Sequence, residues 1–279
     1  MGKLYLVPTP IGNLKDITLR ALEVLREVDV ILAEDTRQSL KLLNHYEIKK
    51  PLISYHQHNE REKAFSIGER LERGENIALI TDAGTPGISD PGSVMVRECI
   101  EKKLPFEVLP GATAITTALV NSGLDTTRFI FSGFLPRENK ERKPLIEELK
   151  DRKETLIFYE APHRLKDTLA FLYDSLGNRT VALCRELTKL HEEIIRLPLA
   201  EAVEYYSNKD PRGEYVVVLQ GKTMEEIQRE EEEKWSSLTI EEHILSYIDD
   251  GMSKKDAIKQ VAKDRNLPKS EVYKHSLDI

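Results

Sequence analysis

Between residues 1 and about 118, short apolar runs alternate with helical patterns at a spacing that restricts this stretch to a largely parallel sheet covered on both faces. The strand candidates are Lys3–Val7, Val30–Ala33, Leu52–Ser54, Ile77–Ile80 and Phe106–Leu109, while Leu19, Leu22, Val24 and Leu25 mark one helix face and Leu40, Leu42 and Leu43 another. Four strands run into unusual loops: Pro8-Thr9-Pro10-Ile11-Gly12-Asn13, Glu34-Asp35-Thr36-Arg37, Asp82 to Gly92, and Pro110-Gly111-Ala112-Thr113-Ala114. If the strands are parallel, all four loops gather at one sheet edge, the carboxyl edge, where open α/β sheets place their ligands. The richest of them, Asp82-Ala83-Gly84-Thr85-Pro86-Gly87-Ile88-Ser89-Asp90-Pro91-Gly92, follows a buried strand and precedes an amphipathic helix from about Ser93 to Lys102. Its glycines admit close approach to the backbone, and its prolines leave little entropy to be lost when a ligand binds.

Three segments follow from the pattern. Residues 1–118 form the first α/β domain and residues 119–222 a second, with strand candidates Phe129–Gly133, Thr155–Tyr159, Thr180–Leu183, Glu193–Leu197 and Glu214–Gln220. The apolar run Tyr215-Val216-Val217-Val218-Leu219 reads as a central strand, and the Lys- and Arg-rich connection from Arg137 to Lys153 as a solvated helix. Residues 223–279 are an acidic helix or linker, Met224 to Ser237, and three short helices. The first of these opens on the capping box Thr239-Ile240-Glu241-Glu242. The basic last two helices make a helix-turn-helix-like pattern, a candidate for nucleic-acid contact.

Several function classes are excluded or disfavoured. A net charge of −7 argues against a protein that coats nucleic acid, though not against a local basic surface. No window approaches the length of an apolar membrane span, and Lys3–Val7 is too short for a signal peptide, so a cytoplasmic chain with no membrane partner is expected. Cys99 and Cys184 have no metal or redox spacing, and His56, His58 and His163 no zinc spacing, so no metal is expected. The GxxxxGK[ST] and GxGxxG phosphate loops are missing, as is the GxSxG elbow.

Seven motifs stand in order: Pro8 to Leu14 with Asp16-Ile17-Thr18, Ala33 to Arg37, His58-Asn59-Glu60, Asp82 to Gly92, Gly133-Phe134-Leu135-Pro136, Glu160-Ala161-Pro162-His163-Arg164 and Arg185-Glu186-Leu187-Thr188-Lys189. Together they resemble the small-subunit ribosomal RNA methyltransferase I family of the tetrapyrrole methylase superfamily, closely over residues 3 to about 222 and onward into the helical tail. The resemblance implies two α/β domains of the class III methyltransferase type with S-adenosyl-L-methionine between them, and a homodimer. It also implies 2′-O-methylation of a cytidine ribose in the decoding region of small-subunit (16S) rRNA, with naked rRNA or the 30S subunit as partner.

Carried over residue by residue, Gly84-Thr85-Pro86 takes the place of the superfamily's Gly-Asp-Pro cofactor loop, flanked by Asp82 and Ile88. Thr85 replaces that aspartate, which leaves Asp82 or Asp90 to meet the methionyl amine or ribose. Pro10 matches the first cofactor segment and Ala112-Thr113-Ala114 the second; Tyr159 and Gly213-Glu214-Tyr215 close over the ligand from the second domain. A ribose hydroxyl is a poor nucleophile and benefits from a positioned proton acceptor. The candidates are Asp35, Glu60 and Glu160, while Arg37, His58, Arg164 and Lys189 are the RNA-facing candidates. Asp35 and Arg37 could equally form a mutual ion pair, and Glu60 and Glu160 could cap helices. Two other functions fit less well: methylation of a tetrapyrrole or a protein side chain, and a non-catalytic nucleic-acid-binding regulator that senses a small molecule.

Overall fold

A computed structural model describes residues 1–236, 238–277 and 279. The chain divides into two compact units, residues 1–149 with 154–220, and residues 150–153 with 221–279.

The first sheet is built from β1 (Leu4–Leu6), β2 (Val30–Ala33), β3 (Leu52–Ser54), β4 (Ile77–Ile80) and β5 (Phe106–Val108) in the order β3-β2-β4-β1-β5, and every pairing is parallel. Strands β2 and β4 are buried at every position because helices cover both faces. On one face Leu4, Leu6, Leu32 and Leu79 pack under α3 (Glu60–Glu72) and α4 (Ser93–Glu101). On the other, Ile31, Ala33, Ala78 and Ile80 pack under α1 (Leu19–Glu27) and α2 (Thr36–His45). Thr18 and Asp35 start α1 and α2 by accepting the N–H of Ala21 and Arg37. The parallel direction expected from the alternation is the observed one.

The second sheet contains β6 (Phe129–Phe134), β7 (Thr155–Glu160), β8 (Thr180–Arg185), β9 (Glu193–Pro198) and β10 (Tyr215–Leu219) in the order β6-β7-β10-β8-β9. Only β6 and β7 run parallel; the remaining pairs are antiparallel, with the all-buried β10 at the centre. Phe158, Leu183 and Val217 pack under α6 (Asn139–Leu149), α7 (Leu165–Leu176) and α8 (Leu199–Ser207). The opposite face, with Ile157, Cys184 and Val216, is covered by Ile115, Ala118 and Leu119 of α5 (Ala114–Ser122). That helix follows the last strand of the first sheet, so it ties the two sheets into one unit and spans the position where the sequence pattern ends the first domain.

At the carboxyl edge of the first sheet the loops hold one another. Thr9 and Gly84 exchange backbone hydrogen bonds of 2.9 and 3.0 Å, Thr9 Oγ1 donates to the Thr81 carbonyl, and Thr85 Oγ1 donates to the Ala112 carbonyl. The other side of the Pro8–Asn13 loop lies on the turn after β8, where Asn13 N–H donates to Thr188 Oγ1 at 2.9 Å. The approach needs a glycine at position 12. A Cβ there would stand 2.5 Å from Lys189 Cγ, 2.6 Å from Thr188 Oγ1 and 2.8 Å from the Leu187 carbonyl oxygen.

The second unit holds α9 (Met224–Ser236), α10 (Ile240–Asp249), α11 (Lys254–Asp264) and α12 (Lys269–Lys274). The Thr239–Glu242 capping box is formed, and Ser237, the last residue of the expected acidic segment, lies outside the described residues. Ile244, Ala257, Val261 and Val272 make a small core. Arg265 gathers the carbonyls of Trp235, Leu238 and Thr239 and donates to His243 Nδ1, whose ring stacks on Trp235 at 3.8 Å between centroids. An open groove of about 620 Å³ between α11 and α12 is lined by Lys254, Lys255, Ile258, Lys259, Lys269, Ser270 and Tyr273.

Gly12→Ala drives a methyl group into the turn after β8, so a loss of about 1–3 kcal/mol is expected from overpacking. A urea titration checks it; an unchanged midpoint means that the two loops do not bear on each other.

Candidate active site

A cleft of about 540 Å³ opens between the loop edge of the first sheet and the strand ends of the second. Its first wall is the Asp82–Gly92 loop with Ile11, Glu34, Thr113 and Ala114; its second is Phe134, Tyr159 to His163, Cys184, Glu186, Leu187, Lys189 and Glu214 to Val216.

The long loop is held from outside the cleft. Gln57 Nε2 donates to the Ser89 carbonyl, Gly92 N–H donates to Glu60 Oε2 at 3.4 Å, and Gly87 N–H donates to the Pro91 carbonyl at 3.1 Å. Ser89 sits at φ +62°, and Glu186 and Thr188 on the facing wall at +50° and +65°. Side chains rarely adopt this conformation, and here it gathers at the cleft walls. Opposite Ser89, β6 carries a register shift around Gly133, which aims Phe134 at Tyr159 with ring centroids 5.6 Å apart.

The lining is rich in carboxylates. Asp35 N–H donates to Asp82 Oδ1 at 3.2 Å, and Asp82 N–H reaches Glu34 Oε2 at 3.5 Å. Burial raises both Glu34 and Asp82 from their ordinary values, helped by the charges of Asp82 and Asp35 on Glu34 and of Asp35 and Glu214 on Asp82. Burial, with the charges of Glu34, Asp82 and Glu214, pushes Asp90 up to about 7. Lys189 is the one lysine or arginine in the described lining, and it bonds Glu186 Oε1 at 3.0 Å and Glu214 Oε2 at 2.8 Å. Glu186 Oε1 also accepts the Glu214 N–H at 2.8 Å. Gly213 stands at φ +79°, where a Cβ would fall 2.5 Å from Glu186 Cγ.

Of the cofactor residues expected from the sequence, Asp82, Gly84, Thr85, Ile88, Thr113, Ala114, Tyr159, Glu214 and Tyr215 line the cleft. Pro10, Pro86, Ala112 and Gly213 are not among the residues that line it, although the Ala112 carbonyl takes the hydroxyl of Thr85, which does. The three proposed proton acceptors are all engaged. Asp35 receives Arg37 Nε at 3.2 Å and its terminal nitrogen at 2.9 Å, and those bonds hold it below its ordinary value. Glu60 is the first residue of α3 and takes the Gly92 N–H, as described above. The Glu160 side chain is enclosed: Thr168 donates to Oε2 at 2.5 Å, Ala161 N–H donates to Oε1 at 2.8 Å, and Arg164 Nε lies 3.4 Å from Oε1.

The RNA-facing candidates divide. Arg37 and His58 are exposed, whereas Arg164 turns inward to the Leu135 carbonyl and Glu160, and Lys189 is spent on its two carboxylates. Sequence reasoning passed over Glu34, Ser89, Phe134 and Glu186 as site residues. Each lies inside a quoted motif at a strand end or loop, which is the signal that could have found it. Among the described residues no three His, Cys, Asp or Glu side chains are placed to hold a metal ion, and no helix is long and apolar enough to cross a membrane.

Residues 3–203 match the model of the tetrapyrrole (corrin/porphyrin) methylases. A ribosomal RNA small subunit methyltransferase I from Bacillus subtilis is 51% identical over 273 residues, covering 98% of this chain and 93% of that protein. A protein of the same name from Thermotoga maritima is 47% identical over 222 residues, which are 80% of this chain and 100% of the relative. A crystal structure of diphthine synthase shares the fold with a TM-score of 0.63 at 16% identity, over 80% of this chain and 91% of that one. The chain therefore belongs to the tetrapyrrole (corrin/porphyrin) methylase family and, within it, to the group of the ribosomal RNA small subunit methyltransferase I proteins.

Proposed function

We propose that the protein transfers a methyl group from S-adenosyl-L-methionine to the 2′-hydroxyl of a cytidine ribose in the decoding region of small-subunit rRNA, working in the cytoplasm as a homodimer. One observation carries the cofactor reading. The cleft sets Glu34 and Asp82 in partly desolvated positions against a single, already paired lysine, between apolar surfaces from Ile88, Ala114, Phe134 and Tyr159. Such a site favours an organic cation of drug-like size with an aromatic part. S-adenosyl-L-methionine has this character, and when bound it supplies an electrophilic methyl group.

Within this reading Gly84, Thr85, Thr113 and Ala114 present backbone and small side chains to the nucleoside, and Tyr159 and Tyr215 face them from the second sheet. Asp82 and Glu34 are set to hold positive charge. Glu186 and Lys189 hold Glu214 in place, and Glu160 with Arg164 locks the wall after β7. The choice of rRNA as acceptor rests on the names of the relatives at about half identity. Arg37 and His58, exposed beside the loop edge, are assigned to the RNA backbone, and so is the lysine groove of the helical unit. Since a whole relative is matched by 80% of this chain, part of the chain is an addition to what that relative needs, and a groove lined by lysines on the last two helices suits substrate capture better than chemistry.

Incubation with labelled S-adenosyl-L-methionine and small ribosomal subunits is expected to place label on the 2′-oxygen of one cytidine. Tight cofactor binding without label in rRNA rejects the RNA reading, and label in a tetrapyrrole or a protein side chain replaces it. Reversing Lys254, Lys259 and Lys269 to Glu should weaken subunit binding about tenfold or more at 50–200 mM salt and flatten its salt dependence. Cofactor affinity, measured by calorimetric titration of the same variant, should stay unchanged; unaltered subunit binding removes the groove from the interface.

A further inference from the structure

Each carboxylate around the cleft has a partner except one. Asp35 is neutralised by Arg37, Glu60 holds Gly92, and Glu160 is enclosed by Thr168, Ala161 and Arg164. Asp82 takes the Asp35 N–H, Glu34 takes the Asp82 N–H, and Glu186 and Glu214 share Lys189. Among the described residues, nothing donates to or pairs with the Asp90 side chain, although it lines the cleft. The backbone on either side of it is held. Ser89 has a positive φ and gives its carbonyl to Gln57, Pro91 accepts the Gly87 N–H, and Gly92 is tied to Glu60. A rigid loop therefore carries a half-buried carboxylate without a partner into the cleft, and nothing in its surroundings offsets the cost of its desolvation.

We infer that Asp90 is the group that takes the proton from the attacking ribose hydroxyl, an inference that rests on the methyl-transfer reading above. The bookkeeping closes without a further reagent. The 2′-oxygen forms the new O–C bond to the methyl group, the C–S bond breaks with its electron pair returning to sulfur, and the hydroxyl proton passes to an Asp90 Oδ atom. Alignment of the three reacting atoms supplies much of the rate, and the proton acceptor is worth roughly 10²–10⁴-fold.

The groups facing Asp90 are Glu34 after β2, Asp82 at the start of its own loop, Glu214 before β10, and the Tyr159 hydroxyl on β7, itself pushed up to about 12. Burial and the three carboxylates favour the protonated aspartate and push Asp90 up to about 7, while the Tyr159 phenol stays neutral there. A base must be ionised to work. The single-turnover rate should therefore rise with pH and level off above the Asp90 midpoint. His163 lines the same cleft, is exposed, and is the competing proton acceptor.

Asp90→Asn and His163→Gln of the full-length protein test the assignment with small ribosomal subunits and saturating S-adenosyl-L-methionine. Asp90→Asn is expected to cut the single-turnover rate about 100-fold or more, to abolish the rising limb of its pH profile, and to change the calorimetric Kd of the cofactor less than about threefold. Asp90→Glu should restore part of the rate and the rising limb, and the rising limb should persist in His163→Gln whatever its rate. The Asn variant should melt at or above the wild-type temperature at neutral pH, because it loses a desolvated charge. Ionising Asp90 is paid for in stability as pH rises from the ordinary carboxylate value towards 7, so wild type and variant should converge in acid. Two results would overturn the assignment. One is a cofactor Kd weakened tenfold or more with the saturated rate intact, which makes Asp90 a cofactor ligand. The other is a pH limb that survives in Asp90→Asn and disappears in His163→Gln. If wild type binds the cofactor and leaves rRNA unlabelled, the failure belongs to the acceptor reading instead.

Discussion

The cleft depends on how the Pro8–Asn13 loop is held from two sides. Its exchange of backbone hydrogen bonds with Gly84 sets the floor of the long loop, and its contact with Thr188 and Lys189 draws the second sheet against the same edge. Two sheets of different strand direction are joined there by a few ångströms of backbone and by α5, which leaves the first sheet and covers the second. Neither sheet alone has a site. The first brings loops without a lid, and the second brings Tyr159, Glu186 and Glu214 without a floor.

Much of this was legible in the chain. Parallel strands buried on both faces read as unbroken apolar runs, so β2 and β4 appear in the sequence with their true ends. Runs with polar neighbours were less well bounded: β7, β8 and β9 extend beyond the apolar core of their segments, to Glu160, Arg185 and Pro198. Strand direction in the second sheet was not readable, because hairpin and crossover connections of similar length look alike in composition.

The site was legible as loops and less so as chemistry. Constrained residues such as Gly84 and Pro86 announce a ligand cradle, yet nothing local says which carboxylates are already occupied. The Asp35–Arg37 pair could be anticipated from two residues of spacing. The enclosure of Glu160 could not, since it depends on Thr168 a helical turn into α7, and the inward turn of Arg164 depends on a carbonyl 29 residues away. Burial decides which polar group is free, and burial is a property of the assembled sheets.

The packing of Gly12, Glu186, Lys189 and Gly213 also bears on how this family can change. Gly12 leaves room for the Lys189 stem, Gly213 leaves room for the Glu186 stem, and the two side chains bond each other. A larger residue at either glycine meets the opposing stem, and at position 213 it must also adopt a positive φ; shortening Lys189 to make room at position 12 frees Glu214 from its lysine. Substitution costs among neighbours that share partners are non-additive. Evolutionary drift at these four positions should therefore be correlated, with intermediates of lower fitness between the allowed combinations, and the pocket wall should vary among relatives in blocks and not residue by residue.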